Sequence, residues 1–185
     1  MNIAKDLFYS QHALASLFLV VNKLQLHGDK SLQDITLRQM LAIPALIHAP
    51  EGQKTINYVA RYLGTSRQNA KQIVDSLVKR GYLTSETSPQ DRRSVTLAIT
   101  PEGELAFGVC STRVDEFLAM IFEGFSMEDL EILCLLLQRL YRFDSDEQDS
   151  ERDHLAFEEQ NSEMILQHHQ SYVQYRTLAL SKGEC

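Results

Sequence analysis

The sequence predicts a mainly α-helical chain that carries one small β-hairpin. Three observations point there. Ser66 to Leu83 (SRQNAKQIVDSLVKRGYL) sets Ala70, Ile73, Val74, Leu77 and Val78 at the i, i+3, i+4, i+7, i+8 spacing of one helical stripe. Ser94 to Thr100 (SVTLAIT) alternates and is β-branched, which reads as a strand returning from Tyr82 to Glu86 across a turn at Ser88–Pro89–Gln90–Asp91. Long helix-compatible runs stand on either side of this segment, at Asn2 to Leu26 and beyond Pro101.

Taken in order, Asn2 to Leu26 has no Pro or Gly and a broad apolar arc that includes Leu7, Phe8, Leu14, Leu17, Phe18, Val21 and Leu24. An arc that wide is expected to contact more than one partner element. Gly28 to Ser31 reads as a break. Asp34 or Thr36 is then expected to cap a helix from Leu37 to Ala49, which contains Pro44, a residue that ordinarily kinks or breaks a helix. Pro50–Glu51–Gly52 is a turn. Thr55 caps a short helix, Ile56 to Leu63; Gly64–Thr65 turns the chain; Ser66 caps the next helix and Gly81 ends it in the left-handed conformation. Small residues at Ala60 and Ala70 allow the two helices to cross closely, so the pair reads as a helix-turn-helix, and with the hairpin after it as a winged helix.

Thr100–Pro101–Glu102–Gly103 opens a long helix to about Phe122: cap, first-position proline, then an acid in the first turn. Ser126–Met127–Glu128–Asp129 resembles a capping box for a last helix, Met127 to Phe143. Leu135, Leu136 and Leu137 in succession call for burial on nearly all sides, more than one domain of this length supplies. Two chains packing these helices together would supply it. The expected layout is a winged helix-turn-helix over 36–100, helical dimerisation segments at 1–35 and 101–143, and an acidic extension over 144–185.

The chain has 185 residues, 44% of them apolar, and a net charge of -7. The overall sign argues against nucleic acid, but its distribution does not. Residues 144–185 hold ten acids and three bases, so the charge of the whole chain resides there, while 1–143 is neutral. Between Lys54 and Arg93 there are eight bases and three acids. A positive island on a neutral body is the electrostatic footprint of a nucleic-acid face. On the helix opened by Ser66, the polar face presents Arg67, Gln68, Asn69, Lys71 and Gln72, side chains that reach base edges and phosphates, with no acid before Asp75. Asp91, Arg92 and Arg93 at the hairpin tip are compatible with a plain solvated turn. Beside such a helix, the basic tip also suits insertion into a narrow minor groove.

Other chemistries find little support. There is no Gly-rich phosphate loop, nucleophile elbow or metal-ligand cluster, so neither an enzyme nor a cofactor is expected. Cys110, Cys134 and Cys185 show no pairing or ligand spacing, which fits a reducing cytoplasm. The apolar run Ala13 to Val21 is too short to span a bilayer and reads as part of a buried helix, so no membrane association is expected.

The chain resembles the multiple-antibiotic-resistance regulator (MarR) family of winged-helix transcription factors. The matching residues are Ile35 to Met40, Val59 to Ser66, Val74 to Leu83, and most specifically Asp91–Arg92–Arg93–Ser94 followed by Leu97 to Gly103. The resemblance covers about residues 5–143. It implies a homodimer with interleaved first, fifth and sixth helices, bound to double-stranded palindromic DNA. The paired recognition helices would occupy successive major grooves, and the wings the flanking minor grooves. By motif position Arg93 is the minor-groove arginine and Asp91 its orienting partner, while Ser66, Arg67, Gln68, Asn69, Lys71 and Gln72 fall on the DNA face. Family members respond to small phenolic or aromatic ligands held between the dimer helices and the winged helix; Tyr9, His12, Phe18, Met40 and Ile43 are candidates to line such a crevice, although core packing is the commoner role for such residues. The alternative is a winged-helix protein-interaction module without operator-specific binding.

Two features depart from the family pattern. There is no reactive cysteine on the first helix, and the chain continues 42 residues past the sixth. Asp144 to Asp153 reads as a linker or disordered strip; Leu155 to Leu180 contains enough apolar residues to dock somewhere and reads as a loosely docked or mobile extension. His168–His169 lacks a third ligand and is not read as a metal site. The acidic extension is a candidate competitor of phosphate for the basic face.

Overall fold

The computed structural model describes residues 2–50, 52–87, 95–144 and 169–182. Its helix starts follow one chemical rule: a short polar side chain accepts the backbone N–H three residues on, satisfying a donor the helix leaves open. Asn2, Thr36, Thr55, Ser66 and Ser126 act in this way for α1 (Ile3–Leu32), α2 (Leu37–His48), α3 (Ile56–Tyr62), α4 (Arg67–Lys79) and α6 (Met127–Tyr141). Thr100 does the same toward Gly103 at the start of α5 (Pro101–Ile121). Two strands, β1 (Leu83–Thr87) and β2 (Val95–Ile99), pair antiparallel with Leu83 opposite Ile99 and Thr87 opposite Val95. A 3-10 turn, Arg142–Asp144, follows α6, and a final helix α7 covers Gln170–Lys182. Among the described residues the chain is therefore mainly helical with one two-stranded hairpin, as the sequence predicts.

Contacts divide the chain into two compact units, Met1–Val114 and Asp115–Cys185. In the first, Leu46, Val59, Ala70, Val74, Leu77, Leu83 and Leu97 form one buried cluster, with Ile73 and Val78 packed against its edge. Each buried Val or Leu contributes about 1.5–3 kcal/mol relative to exposure. α3 and α4 cross where expected, with Ala60 and Ala70 both buried. Gly64 and Gly81 both have positive φ, 58° and 77°.

Several expectations are corrected. α1 does not break at Gly28 but continues to Leu32. Gly28 is buried, and a Cβ there would lie 2.9 Å from Leu37 Cδ2, so its role is close approach of α2. Thr36, not Asp34, caps α2, and it forms a reciprocal capping box with Gln39. The expected helix around Pro44 does form, with Pro44 inside α2. A further expectation stands: α6 buries none of its residues within the single chain, in keeping with a run of leucines too long for one chain to cover.

The second unit is built around the C-terminal part of α5, where Asp115, Phe117 and Ala119 are buried. α7 makes discrete polar contacts there: His169 Nδ1 lies 2.7 Å from Asp115 Oδ1, and the Tyr175 hydroxyl donates to Glu116 at 2.7 Å. Arg176 donates to the carbonyls of Phe122 and Phe125. The described residues 169–182 thus include a helix with specific polar partners. The expected linker at 144–153 and His168 lie almost wholly outside the described residues.

Candidate nucleic-acid interface

The candidate recognition helix is fixed on three sides. Its apolar stripe Ala70, Val74 and Leu77 is buried. Gln39, itself buried on α2, accepts from the Thr36 backbone at 2.9 Å and donates to Ser76 Oγ on α4 at 2.9 Å. At the C-terminal end, Arg80 occupies the cap and Gly81 turns the chain toward β1. These constraints leave Ser66, Arg67, Gln68, Asn69, Lys71 and Gln72 all exposed on the opposite side.

The exposed residues are not equally available. Asn69 donates its side-chain amide to Thr65 Oγ1 at 3.2 Å, and Lys71 pairs with Asp75 one turn on. Both Lys71 and Asp75 are more than half exposed, so solvent screens the pair and its contribution to stability is small. Asn69 and Gln72, with Gln25, Asp29, Thr36, Arg38, Gln39 and Ile73, border an open cleft of about 350 Å³ between α1, α2 and α4.

The wing is anchored at its base. Thr100 donates its hydroxyl to Gly81 O at 2.6 Å, and its backbone N–H donates to Tyr82 O at 3.1 Å. Leu97 N donates to Lys54 O at 2.8 Å, which ties β2 to the turn before α3. Tyr82 packs edge-on against Phe107 with ring centres 5.9 Å apart. Gly103 is required by this arrangement, because a Cβ there would lie 2.2 Å from the Tyr82 carbonyl oxygen. The expected tip residues Asp91, Arg92 and Arg93 lie outside the described residues.

The five residues expected to line a ligand crevice are distributed differently. Ile43 is buried in the winged-helix core and Met40 packs against it, whereas Tyr9, His12 and Phe18 are exposed along α1. None of the five borders the cleft beside α4. Among the described residues no group of three or more His, Cys, Asp or Glu is arranged to hold a metal, and no helix is long and apolar enough to cross a membrane.

Sequence reasoning did not anticipate the polar ties that position these elements. Gln39 bridges α2 to α4, and Asp34 gathers Arg80 and Arg113 from distant parts of the chain. Only the capping spacing of Thr36 and Gln39 signalled any of this locally.

A buried helix-turn-helix, a hairpin tied down at its base and an exposed amide- and base-rich helix face together make a winged-helix fold. Residues 33–94 match the sequence model of the MarR family. The fold is similar to that of a MarR/EmrR family transcriptional regulator from Acinetobacter sp. ADP1 (22% identity, TM-score 0.63), over 72% of this chain and 94% of that one. It is also similar to S. aureus MepR in a DNA complex (19%, TM-score 0.61; 69% and 95% covered). The third is the repressor CouR bound to a 23-mer DNA duplex (25%, TM-score 0.61; 71% and 92% covered). The winged helix of this chain is thus similar in sequence, over residues 33–94, to the MarR family and similar in fold to these solved structures.

Proposed function

We propose that the protein acts as a homodimer on a palindromic double-stranded operator, reading bases with α4 and gripping the flanking minor grooves with the wing. The observation that carries the reading is the face of Ser66 to Gln72: exposed, free of acids, and backed by a buried stripe that holds the helix in place. Arg67, Gln68 and Gln72 serve as base and phosphate contacts, with Ser66, Asn69 and Lys71 beside them. Arg93 and Arg92 enter the minor groove and Asp91 orients them. The DNA complexes of the two similar proteins support this assignment.

The dimer is supported by apolar surface that one chain leaves open. Leu7, Phe8, Leu14 and Phe18 on α1 are exposed, as are Ile132, Leu135, Leu136, Leu137 and Leu140 on α6. Soluble monomers rarely expose contiguous apolar patches beyond a few hundred Å². A two-fold pairing buries the same residues of both copies and matches the symmetry of a palindrome. In this reading 1–35 and 101–143 dimerise, 36–100 binds DNA and 144–185 is an appendage. A small aromatic effector entering beside Tyr9, His12 and Phe18, toward Met40 and Ile43, would relieve binding by altering the dimer.

Selection of bound duplexes from a random pool, followed by sedimentation of the complex, tests the reading. The expected result is enrichment of an inverted repeat bound by two chains, with log affinity falling by about 0.9 per neutralised phosphate for each unit of log salt. A monomeric protein, or a pool without an enriched motif, would refute it and favour a protein-interaction module.

A further inference from the structure

The turn between α1 and α2 joins three elements through one residue. Gln33 has φ 59° and ψ -70°, the uncommon positive-φ form of the γ-turn, closed by Asp34 N donating to Leu32 O at 2.7 Å. The neighbouring apolar residues Leu32 and Ile35 are fully buried. Arg113 of α5 donates to the same Leu32 carbonyl at 2.9 Å and pairs with Asp34 Oδ2 at 3.3 Å. Arg80, the C-cap of α4, donates to the Asp34 backbone carbonyl. Asp29 accepts the Leu37 N–H at 2.7 Å, fixing the start of α2 against the end of α1.

A non-glycine residue persists in such a conformation only where its surroundings over-determine it. Here the surroundings are two guanidinium groups, one from the end of the recognition helix and one from α5. We infer that Asp34, Arg80 and Arg113 are positioning residues that set the distance and angle between the recognition helix and the dimer helices, and so fix the half-site spacing the protein accepts. The inference rests on the proposed homodimer on a palindrome. Half-sites lie about one helical turn apart, roughly 34–36 Å, and each inserted base pair rotates one half-site about the DNA axis. A rigid link between α4, α1 and α5 rejects such rotation; a loosened link tolerates it. An arginine at the end of α4 also suits a direct phosphate contact, so the test must separate the two roles.

The experiment measures affinity of the full chain for the selected operator and for versions with one or two base pairs added or removed between half-sites. The set includes wild type, Arg113→Met, Arg80→Met and Gln33→Gly, and each protein is checked for dimerisation and thermal midpoint. Wild type should prefer its own spacing by about tenfold, within the range of one mismatched base pair. Arg113→Met and Arg80→Met should flatten that preference to within about threefold while keeping the wild-type salt slope, whereas loss of a phosphate contact would weaken every spacing equally and lower the slope by about one. Arg113→Lys should restore part of the preference. Gln33→Gly removes the steric demand but keeps the hydrogen bonds, so it should keep the spacing preference. Folded, dimeric Arg113→Met with an unchanged spacing profile overturns the inference alone; wild type that binds no spaced inverted repeat overturns the dimer reading with it.

Discussion

His169 and Asp115 lie 54 positions apart in sequence and 2.7 Å apart in the structure. The Asp115 side chain is almost fully buried, whereas His169 is half exposed at the start of α7. A buried carboxylate deprived of its partner costs about 1–3 kcal/mol or more, while Asp115→Asn removes the charge but keeps an oxygen that can still accept from the His169 ring. His169→Ala should therefore release α7, read as faster amide exchange across Gln170 to Lys182. Asp115→Asn should perturb the same amides less. Equal protection in His169→Ala and wild type would show that Tyr175 and Arg176 hold the helix without it.

Gly103 and Gly108 sit on the same helix but should respond oppositely to alanine. A Cβ at position 103 would collide with the Tyr82 carbonyl oxygen, backbone that cannot swing aside, whereas nothing lies within 4 Å of the corresponding point at Gly108. Overpacking of this kind costs about 1–3 kcal/mol, and relieving glycine's entropy in a helix is worth about 0.5–1 kcal/mol. Gly103→Ala should lower the thermal midpoint and Gly108→Ala should raise it slightly, both read by calorimetry. A stable Gly103→Ala would mean that the wing base is looser than its hydrogen bonds indicate.

The two glycines also show how far the sequence could be read. Caps were legible at Ser66, Thr55 and Ser126 because a cap acts over three residues. The strands were legible because alternation is local. Gly28 was misread as a break, since a glycine kept for close approach looks the same in sequence as one kept for a turn; its partner Leu37 lies on another helix. The six exposed positions from Ser66 to Gln72 followed directly from the stripe behind them. The ties of Arg80 and Arg113 to residues 32–34 span 46 to 81 positions, and no local pattern announces them. The leucines of α6 were read correctly as too many for one chain, yet what covers them lies beyond any single-chain geometry.

Cysteine chemistry and acid response should follow from two titrating groups. Burial pushes the Cys110 thiol above its ordinary value; nearby Arg113 lowers it and Asp34 raises it. With the thiol protonated and enclosed at neutral pH, a thiol reagent should leave Cys110 unmodified until the protein is denatured. The Asp129 carboxyl is lowered because the Ser126 hydroxyl and backbone N–H both donate to it. A lowered carboxyl stabilises the fold above its unfolded pKa, and that contribution disappears as pH falls through the folded value. The cap of α6 should therefore hold at neutral pH and weaken only in acid, and Asp129→Asn should flatten the acid limb of stability against pH. Rapid native alkylation of Cys110, by mass spectrometry, would contradict the burial.

Within the proposed recognition face, Gln68 and Lys71 should separate specificity from affinity. Gln68 lies on the exposed face opposite the core stripe, and an amide that pairs with a base edge contributes about 1–3 kcal/mol of discrimination. Gln68→Ala should therefore change which operator variant binds best. Lys71 is engaged by Asp75. Replacing that acid by Asp75→Asn frees the ammonium and adds one positive charge to the face. Affinity should rise on matched and scrambled duplexes alike, and the salt slope should steepen by about 0.9 if one more phosphate is neutralised. Asn69, already donating to Thr65, should fall between the two: Asn69→Ala loses a local tie as well as a contact. Binding isotherms on matched and scrambled duplexes at several salt concentrations distinguish these patterns. If Gln68→Ala left the order of preference among operator variants unchanged while Asp75→Asn altered it, base reading would have to be reassigned from the middle of the first turn to the second.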